Sequence, residues 1–140
     1  MNLTINIPPM PQSRPRFTSR GDYTRAYEDK KMTAYKNAVA DCVRRQKGAD
    51  VLTGNLSLVL DFYVETPNYL KNRKKSQERL KNESIYCGKR PDLDNYIKAI
   101  LDACNGVLYL DDNQIVMMSS RKVYSLDPRT EIEIEILEEK

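Results

Sequence analysis

Two runs of acids stand out in a chain that is otherwise basic: Arg90-Pro91-Asp92-Leu93-Asp94-Asn95 and, twenty residues on, Leu110-Asp111-Asp112-Asn113. If Asp92 to Asp94 is extended, these two side chains point the same way, as residues two apart on a strand do. Asp94 then stands at the start of a helix, and Lys98 lies one turn further along its polar face. Asp92, Asp94 and Lys98 can thus share one rim. Asp111 and Asp112 follow the helix, and a reversal through Asn105-Gly106 into a short strand would carry them back toward that rim. Three or four carboxylates gathered there would repel one another unless a divalent cation neutralised them.

The alternatives are plain. Asp92 or Asp94 can cap the helix, since Asp is favoured at the N-cap and its charge suits the helix N-terminus. Asp111-Asp112-Asn113 is ordinary turn composition. Lys98 with Asp94 and Asp102 can form surface i,i+4 pairs worth a few tenths of a kcal/mol. The residues alone leave the cap, the turn and the metal site open.

Composition narrows the chemistry. The chain has 140 residues and no histidine, which removes Ser-His and Cys-His hydrolysis and the usual zinc and non-haem iron sites. Metal chemistry would rest on carboxylates, hence on a hard ion such as Mg²⁺ or Mn²⁺. Cys42, Cys87 and Cys104 are scattered without a CxxC pair, so neither a disulfide framework nor a zinc knuckle is expected, and a reducing cytoplasm fits. Pro8, Pro9 and Pro11 interrupt the apolar start, so nothing there resembles a signal peptide and none is expected, and no stretch approaches the length of a membrane span. A length of 140 residues, 40% hydrophobic, suits a single domain over 1–140 with its own core.

The net charge of +3 is unevenly spread. Lys71 to Arg90 holds eight Lys/Arg against two Glu, and Ser13 to Arg25 holds Arg14, Arg16, Arg20 and Arg25 against Asp22 alone. Basic, Tyr-containing loops flanking the acids suggest a polyanionic partner, against the plainer reading of solvated loops.

Periodicity supplies the elements that must position these residues. Leu3, Ile5 and Ile7 alternate, predicting a first strand that stops at Pro8-Pro9. Met10 to Tyr27 reads as a loop. Glu28 to Gln46 reads as a helix with Met32, Tyr35, Val39, Cys42 and Val43 on one stripe. Leu56, Leu58, Leu60, Phe62 and Val64 mark a second strand. The basic stretch to Arg90 has no persistent apolar stripe and room for a short helical turn. A second helix covers Asp94 to Cys104, stopped by Asn105-Gly106. Gln114 to Tyr124 and Thr130 to Leu137 read as strands, the latter wet on the glutamate face. The sum is an α+β domain, a small mixed or antiparallel sheet packed with two main helices.

The run Arg90 to Val116, RPDLDNYIKAILDACNGVLYLDDNQIV, resembles the signature of the RusA family of Holliday junction resolvases: a basic residue, D-L-D-N, a helix with Lys and D-A, then D-D-x-Q-[IV]. The rest of the chain is similar more loosely, through an N-terminal strand, the Pro/Arg-rich loop Pro11 to Phe17, a long helix and a second strand. The resemblance implies a RusA-like mixed fold and a homodimer acting on four-way junction DNA. It implies that Asp92, Asp94 and Asp112 take the catalytic metal-binding positions and Lys98 that of the catalytic lysine. Asp111 matches the neighbouring acid. Lys71 to Lys89 has no counterpart in the family pattern.

Phosphodiester hydrolysis by such a site would use Mg²⁺ or Mn²⁺ on the three aspartates to activate water, and Lys98 to stabilise developing charge. Tyr96, two before Lys98, rules out the PD-(D/E)xK pattern, which needs an acid there. Arg14, Arg16, Lys74, Lys75, Lys89 and Arg90 are the expected phosphate contacts. Phe17 and Tyr69 are candidate wedges for a junction centre. The rival readings are a non-catalytic nucleic-acid-binding protein, with acids that only cap, and a metal-dependent phosphatase or nucleotide hydrolase. The latter lacks a Gly-rich phosphate loop.

Overall fold

Leu56, Leu58, Leu60 and Phe62 occupy alternate positions of β4 (Asn55–Glu65) and all four are buried. That spacing turns them to one face, so β4 is the strand on which the core is laid. The computed structural model describes residues 1–13, 16–20 and 23–138, the two stretches between 16 and 27 as backbone. Its main sheet has the order β1-β6-β4-β5, with β1 at Asn2–Ile5, β5 at Ile115–Ser125 and β6 at Arg129–Leu137. β4 pairs antiparallel with β6 and parallel with β5, which makes the sheet mixed.

Two helices cover the Leu face. α1 (Lys30–Lys47) contributes Met32, Tyr35, Val39 and Val43, and α4 (Leu93–Cys104) contributes Tyr96, Ala99, Ile100, Ala103 and Cys104, to one cluster with the strand residues. Tyr96 stacks on Phe62 with ring centroids 5.3 Å apart, which sets the start of α4 over the far end of β4. This is the α+β sheet with two main helices that the periodicity predicts. On β6, Ile132 and Ile134 are buried while Glu133 and Glu135 face water, as their alternation requires.

Two stretches differ from expectation. The loop predicted over Met10 to Tyr27 contains a hairpin, β2 (Arg16–Arg20) with β3 (Tyr23–Tyr27), in register Arg20↔Tyr23. Its strands lack apolar alternation, and the usable signal was Thr, Tyr and Phe either side of Gly21-Asp22. The basic stretch holds more than one turn: α2 (Asn68–Lys71), a 3-10 turn (Lys74–Ser76) and α3 (Gln77–Lys81). Its elements are too short for a stripe, so single residues carry its packing: Leu70, Leu80 and Cys87 form a second small cluster with Tyr124.

That module is tied to the sheet by charge. Arg129 donates to both Glu83 oxygens, at 2.7 and 3.0 Å, and to Glu131 at 3.1 Å, while its guanidinium lies 3.8 Å from the centre of the Tyr63 ring. A bidentate, half-buried pair of this kind is stronger than an exposed one. The Arg129 guanidinium holds the Glu83 carboxyl below its ordinary range.

Candidate active site

Pro91 keeps the chain out of helical conformation until α4 begins, and Asp92 sits at the N-cap with φ −68° and ψ 146°. The Arg90–Pro91 peptide bond is cis. Asp92 does not cap with its side chain. Asp94 falls in the first turn and Lys98 one turn on, opposite the buried Tyr96, Ala99 and Ile100. Asp92, Asp94 and Lys98 are all exposed, and none makes a side-chain hydrogen bond or ion pair among the described residues. Asp92 takes the N-cap position and Asp94 the first turn, so the charge part of the capping reading holds, but no capping hydrogen bond and no surface pair is made among the described residues. Asp102 pairs instead with Lys36 of α1, at 3.3 Å, and Lys36 also binds Glu28.

The second acidic run is a turn with a defined anchor. Asp111 caps a 3-10 turn (Asp112–Gln114), accepting from the Asn113 amide at 3.3 Å. Gln114 completes the box: its Oε1 accepts from the amides of Leu110 and Asp111, and its Nε2 donates to the carbonyls of Leu52 and Gly54, both at 3.1 Å. The turn reading therefore holds for Asp111 and gives the glutamine of D-D-x-Q its job, locking the acids to the start of β4. Asp112 remains with its carboxyl pushed above its ordinary range, first by the hydrogen bond with Asp111, then by burial and by the charges of Asp111 and Asp102.

These two groups do not meet within one chain. Asp112 feels Asp102, in the last turn of α4, whereas Asp94 stands in the first turn, eight residues or about 12 Å back along the axis. β5 gives the same answer independently. Asp112 precedes its start, while Lys122 near its end donates to the carbonyls of Lys89 and Pro91, at 2.6 and 2.5 Å. Ile115 to Lys122 spans roughly 23 Å of strand. The expected return of Asp111 and Asp112 to the rim of Asp92 and Asp94 is thus corrected. The chain does reverse at Asn105-Gly106, but it does so at the far end of α4, and Tyr109, buried and bonded to the Leu101 carbonyl at 2.9 Å, holds it there. Among the described residues no three acids, Cys or His are close enough to hold a metal ion.

Of the basic residues, Lys89 and Arg90 sit on the Asp92 side, in the segment that Lys122 fastens. Lys74, Lys75, Lys89 and Arg90 are exposed, and Lys89 lies 5.2 Å from the centre of the Tyr69 ring. Arg16 opens β2, and Arg14 lies outside the described residues. Lys122 is the residue that sequence reasoning missed: its backbone and its Nζ together fasten the 85–91 segment to β5. Nothing in a strand lysine announces such a role.

Among the described residues, the mixed α+β fold thus presents two carboxylates and a lysine without side-chain partners at one helix start, with exposed cations next to them in the chain. The family model described as Endodeoxyribonuclease RusA matches residues 6–135. The chain belongs to the RusA endodeoxyribonuclease family, the family of Holliday junction resolvases. It is also 31% identical over 134 residues to the Uncharacterized protein YqaN of Bacillus subtilis (strain 168), covering 96% of this chain and 94% of that one. No helix among the described residues is long and apolar enough to cross a membrane.

Proposed function

We propose that this protein is a divalent-metal-dependent crossover junction endodeoxyribonuclease, which resolves four-way DNA junctions by paired symmetric nicks in recombination and repair. The observation that carries the reading is the rim of Asp92, Asp94 and Lys98: three charged side chains exposed at a helix start, without side-chain partners among the described residues, on a chain of this family.

The donors at this rim suit a hard divalent metal. Asp92 and Asp94 offer free carboxylates, hard oxygen ligands suited to Mg²⁺ or Mn²⁺. Among the described residues, their own chain places no third acid there. A second copy supplies it. β5 lies at the sheet edge, and its first half exposes Val116, Met117 and Met118 in succession. An apolar, uncovered edge strand favours pairing with another strand. Antiparallel pairing of two such edges about a two-fold axis sets the start of one β5 against the end of the other. Asp112 of the second copy then approaches the Lys122 end, where Pro91, Asp92 and Asp94 are held.

Metal bound by Asp92, Asp94 and the second copy's Asp112 would act as a Lewis acid and lower the pKa of an attacking water. Asp111, engaged as a cap, orients Asp112. Lys98 places a positive charge where the phosphate gains negative charge in the transition state. Lys74, Lys75, Lys89 and Arg90, with Arg14 and Arg16, contact phosphates and position DNA without reading sequence. A C2 dimer presents two such sites, which suits two symmetric nicks.

The test is to incubate the protein with a mobile four-way junction, a matched duplex and a nucleotide, each with Mg²⁺ or with EDTA. Paired nicks in the junction alone, and only with metal, are expected. Equal junction binding in both conditions without cutting would make it a non-catalytic nucleic-acid-binding protein. Hydrolysis of the nucleotide would make it a phosphatase.

A further inference from the structure

Lys122 stands on β5 opposite Phe62 of β4, and residues paired across neighbouring strands point to the same face of a sheet. Phe62 stacks on Tyr96 in the first turn of α4, so Lys122 lies under the start of that helix. From there its Nζ donates to the carbonyls of Lys89 and Pro91, at 2.6 and 2.5 Å, while its own carbonyl accepts from the Cys87 amide at 3.0 Å. Val123 and Tyr124 beside it are buried, Lys122 itself is half-buried, and among the described residues it makes no ion pair. Charged groups leave water only where something holds them. Here an ammonium without an acid grips two carbonyls of one short segment.

Those carbonyls flank Arg90 and lead directly into Asp92. The Pro91 carbonyl belongs to the same planar peptide unit as the Asp92 amide, so the ammonium fixes the plane from which the Asp92 Cα departs. The other side of Asp92 is fixed too. Its carbonyl accepts from the Asn95 amide at 3.1 Å, the Asn95 carbonyl accepts from the Gln12 amide at 2.9 Å, and Tyr96 is buried against Phe62. Asp92 is therefore held through its backbone on both sides, while its carboxylate is exposed and unbonded among the described residues. A metal ligand needs that combination, because groups that fix the ligand decide whether its oxygens arrive where the ion requires them. Hydrogen bonds from an ammonium are roughly twice as strong as neutral ones, which suits Lys122 to the task. A role as a phosphate contact fits less well, since two of its three donors are engaged within the chain.

We propose that Lys122 is a positioning residue of the cutting site: its ammonium holds the Lys89 and Pro91 carbonyls so that Asp92 meets the metal ion in bonding geometry. This rests on the junction-cutting reading above. Its loss acts on metal binding and on the chemical step, and leaves DNA affinity to the exposed cations.

The experiment uses the full chain with Lys122→Met, which keeps the length of the side chain and removes its donors and charge, and Lys122→Arg, which restores charged donors. Glu83→Gln is the control, because it weakens the clamp with Arg129 over Tyr63, on the sheet face opposite Phe62. Mn²⁺ binding to the free protein is read by paramagnetic resonance, beside junction affinity in EDTA, single-turnover cutting across a Mg²⁺ series, and melting temperature. Lys122→Met should weaken Mn²⁺ binding and raise the Mg²⁺ midpoint of cutting, each by roughly ten- to hundred-fold, with junction affinity near the parental value. Lys122→Arg should recover most of both. Glu83→Gln should melt earlier and keep the parental metal binding and midpoint. If Lys122→Met matches the parent in Mn²⁺ binding and midpoint, or if Glu83→Gln loses them equally, Lys122 is only a fold contact and the proposal is overturned. A loss of junction affinity with Mn²⁺ binding intact would make Lys122 a phosphate contact and overturn it as well. Should Lys122→Met not fold, Lys122→Gln, which keeps a neutral amide, takes its place under the same criteria. A parent that neither binds Mn²⁺ nor cuts junctions would overturn the metal-dependent nuclease reading instead.

Discussion

Asp112 lies within electrostatic reach of Asp102 at the C-terminal end of α4, and therefore at the opposite end of that helix from Asp92. Asp92 and Asp94 therefore do not share a metal ion with Asp112 of the same chain. In the proposed junction-cutting reading the third acid comes from a second copy; otherwise the two acidic groups serve different ends.

Mixing two inactive variants decides between these. Asp92→Asn and Asp112→Asn should each abolish cutting and leave junction binding nearly unchanged, because affinity comes mainly from basic residues. In a mixed dimer with shared sites, one site carries both substitutions and the other carries none. Nicking of a single strand should therefore reappear on mixing, with one intact site in each mixed dimer and about a quarter of the parental site number after random exchange of equal amounts. No recovery after subunit exchange would overturn the shared site and leave the two acidic groups serving different ends.

Lys98→Ala should slow the chemical step by a hundred-fold or more, the scale of losing one positioned charge in the transition state, with little change in junction affinity. Single-turnover cutting at saturating protein, beside affinity in EDTA, measures the two separately. Equal losses in both would reduce Lys98 to a phosphate contact.

The basic module should follow a junction arm. Each phosphate it neutralises releases counterions, so log affinity falls with log salt by roughly 0.9 per contact. Converting Lys74 and Lys75 together to Ala should flatten that slope by about two units, with metal-dependent cutting preserved at saturating protein. Parallel salt plots for parent and double mutant would move the DNA path to Arg14 and Arg16.

The clamp between Glu83 and Arg129 makes stability depend on pH. Arg129 lowers the pKa of Glu83 in the folded state, so the pair stabilises the protein above the unfolded carboxyl value of about 4.5 and this contribution is lost as pH falls through the lowered value. Glu83→Gln should cost on the order of 2 kcal/mol near neutral pH. The difference should shrink as the parent is titrated well below pH 4. Urea melts of both proteins at pH 7 and pH 3 would show it, and a pH-independent gap would assign the effect to packing.

Much of this protein was legible in its sequence because local patterns govern it. Alternating Leu56 to Phe62, the stripe from Met32 to Val43 and the Ile residues of β6 each name an element and its buried face, since the periods of strand and helix are fixed by backbone geometry. The motif from Arg90 to Val116 named the acids and Lys98 by type. The β2–β3 hairpin was missed because its strands bury no alternating apolar face, and the module after Asn68 because two leucines, ten residues apart, hold it together. Where the acids stand relative to one another was not local at all. It depends on the length of α4, on Tyr109 and Gln114 fastening the chain at one end of that helix, and on Lys122 fastening it at the other. Spacing along a chain sets which residues can share a face of one element, but the direction in which the next element leaves is decided by packing between parts distant in sequence. For Asp92 and Asp112 that packing sets them apart, and leaves an exposed strand edge between them.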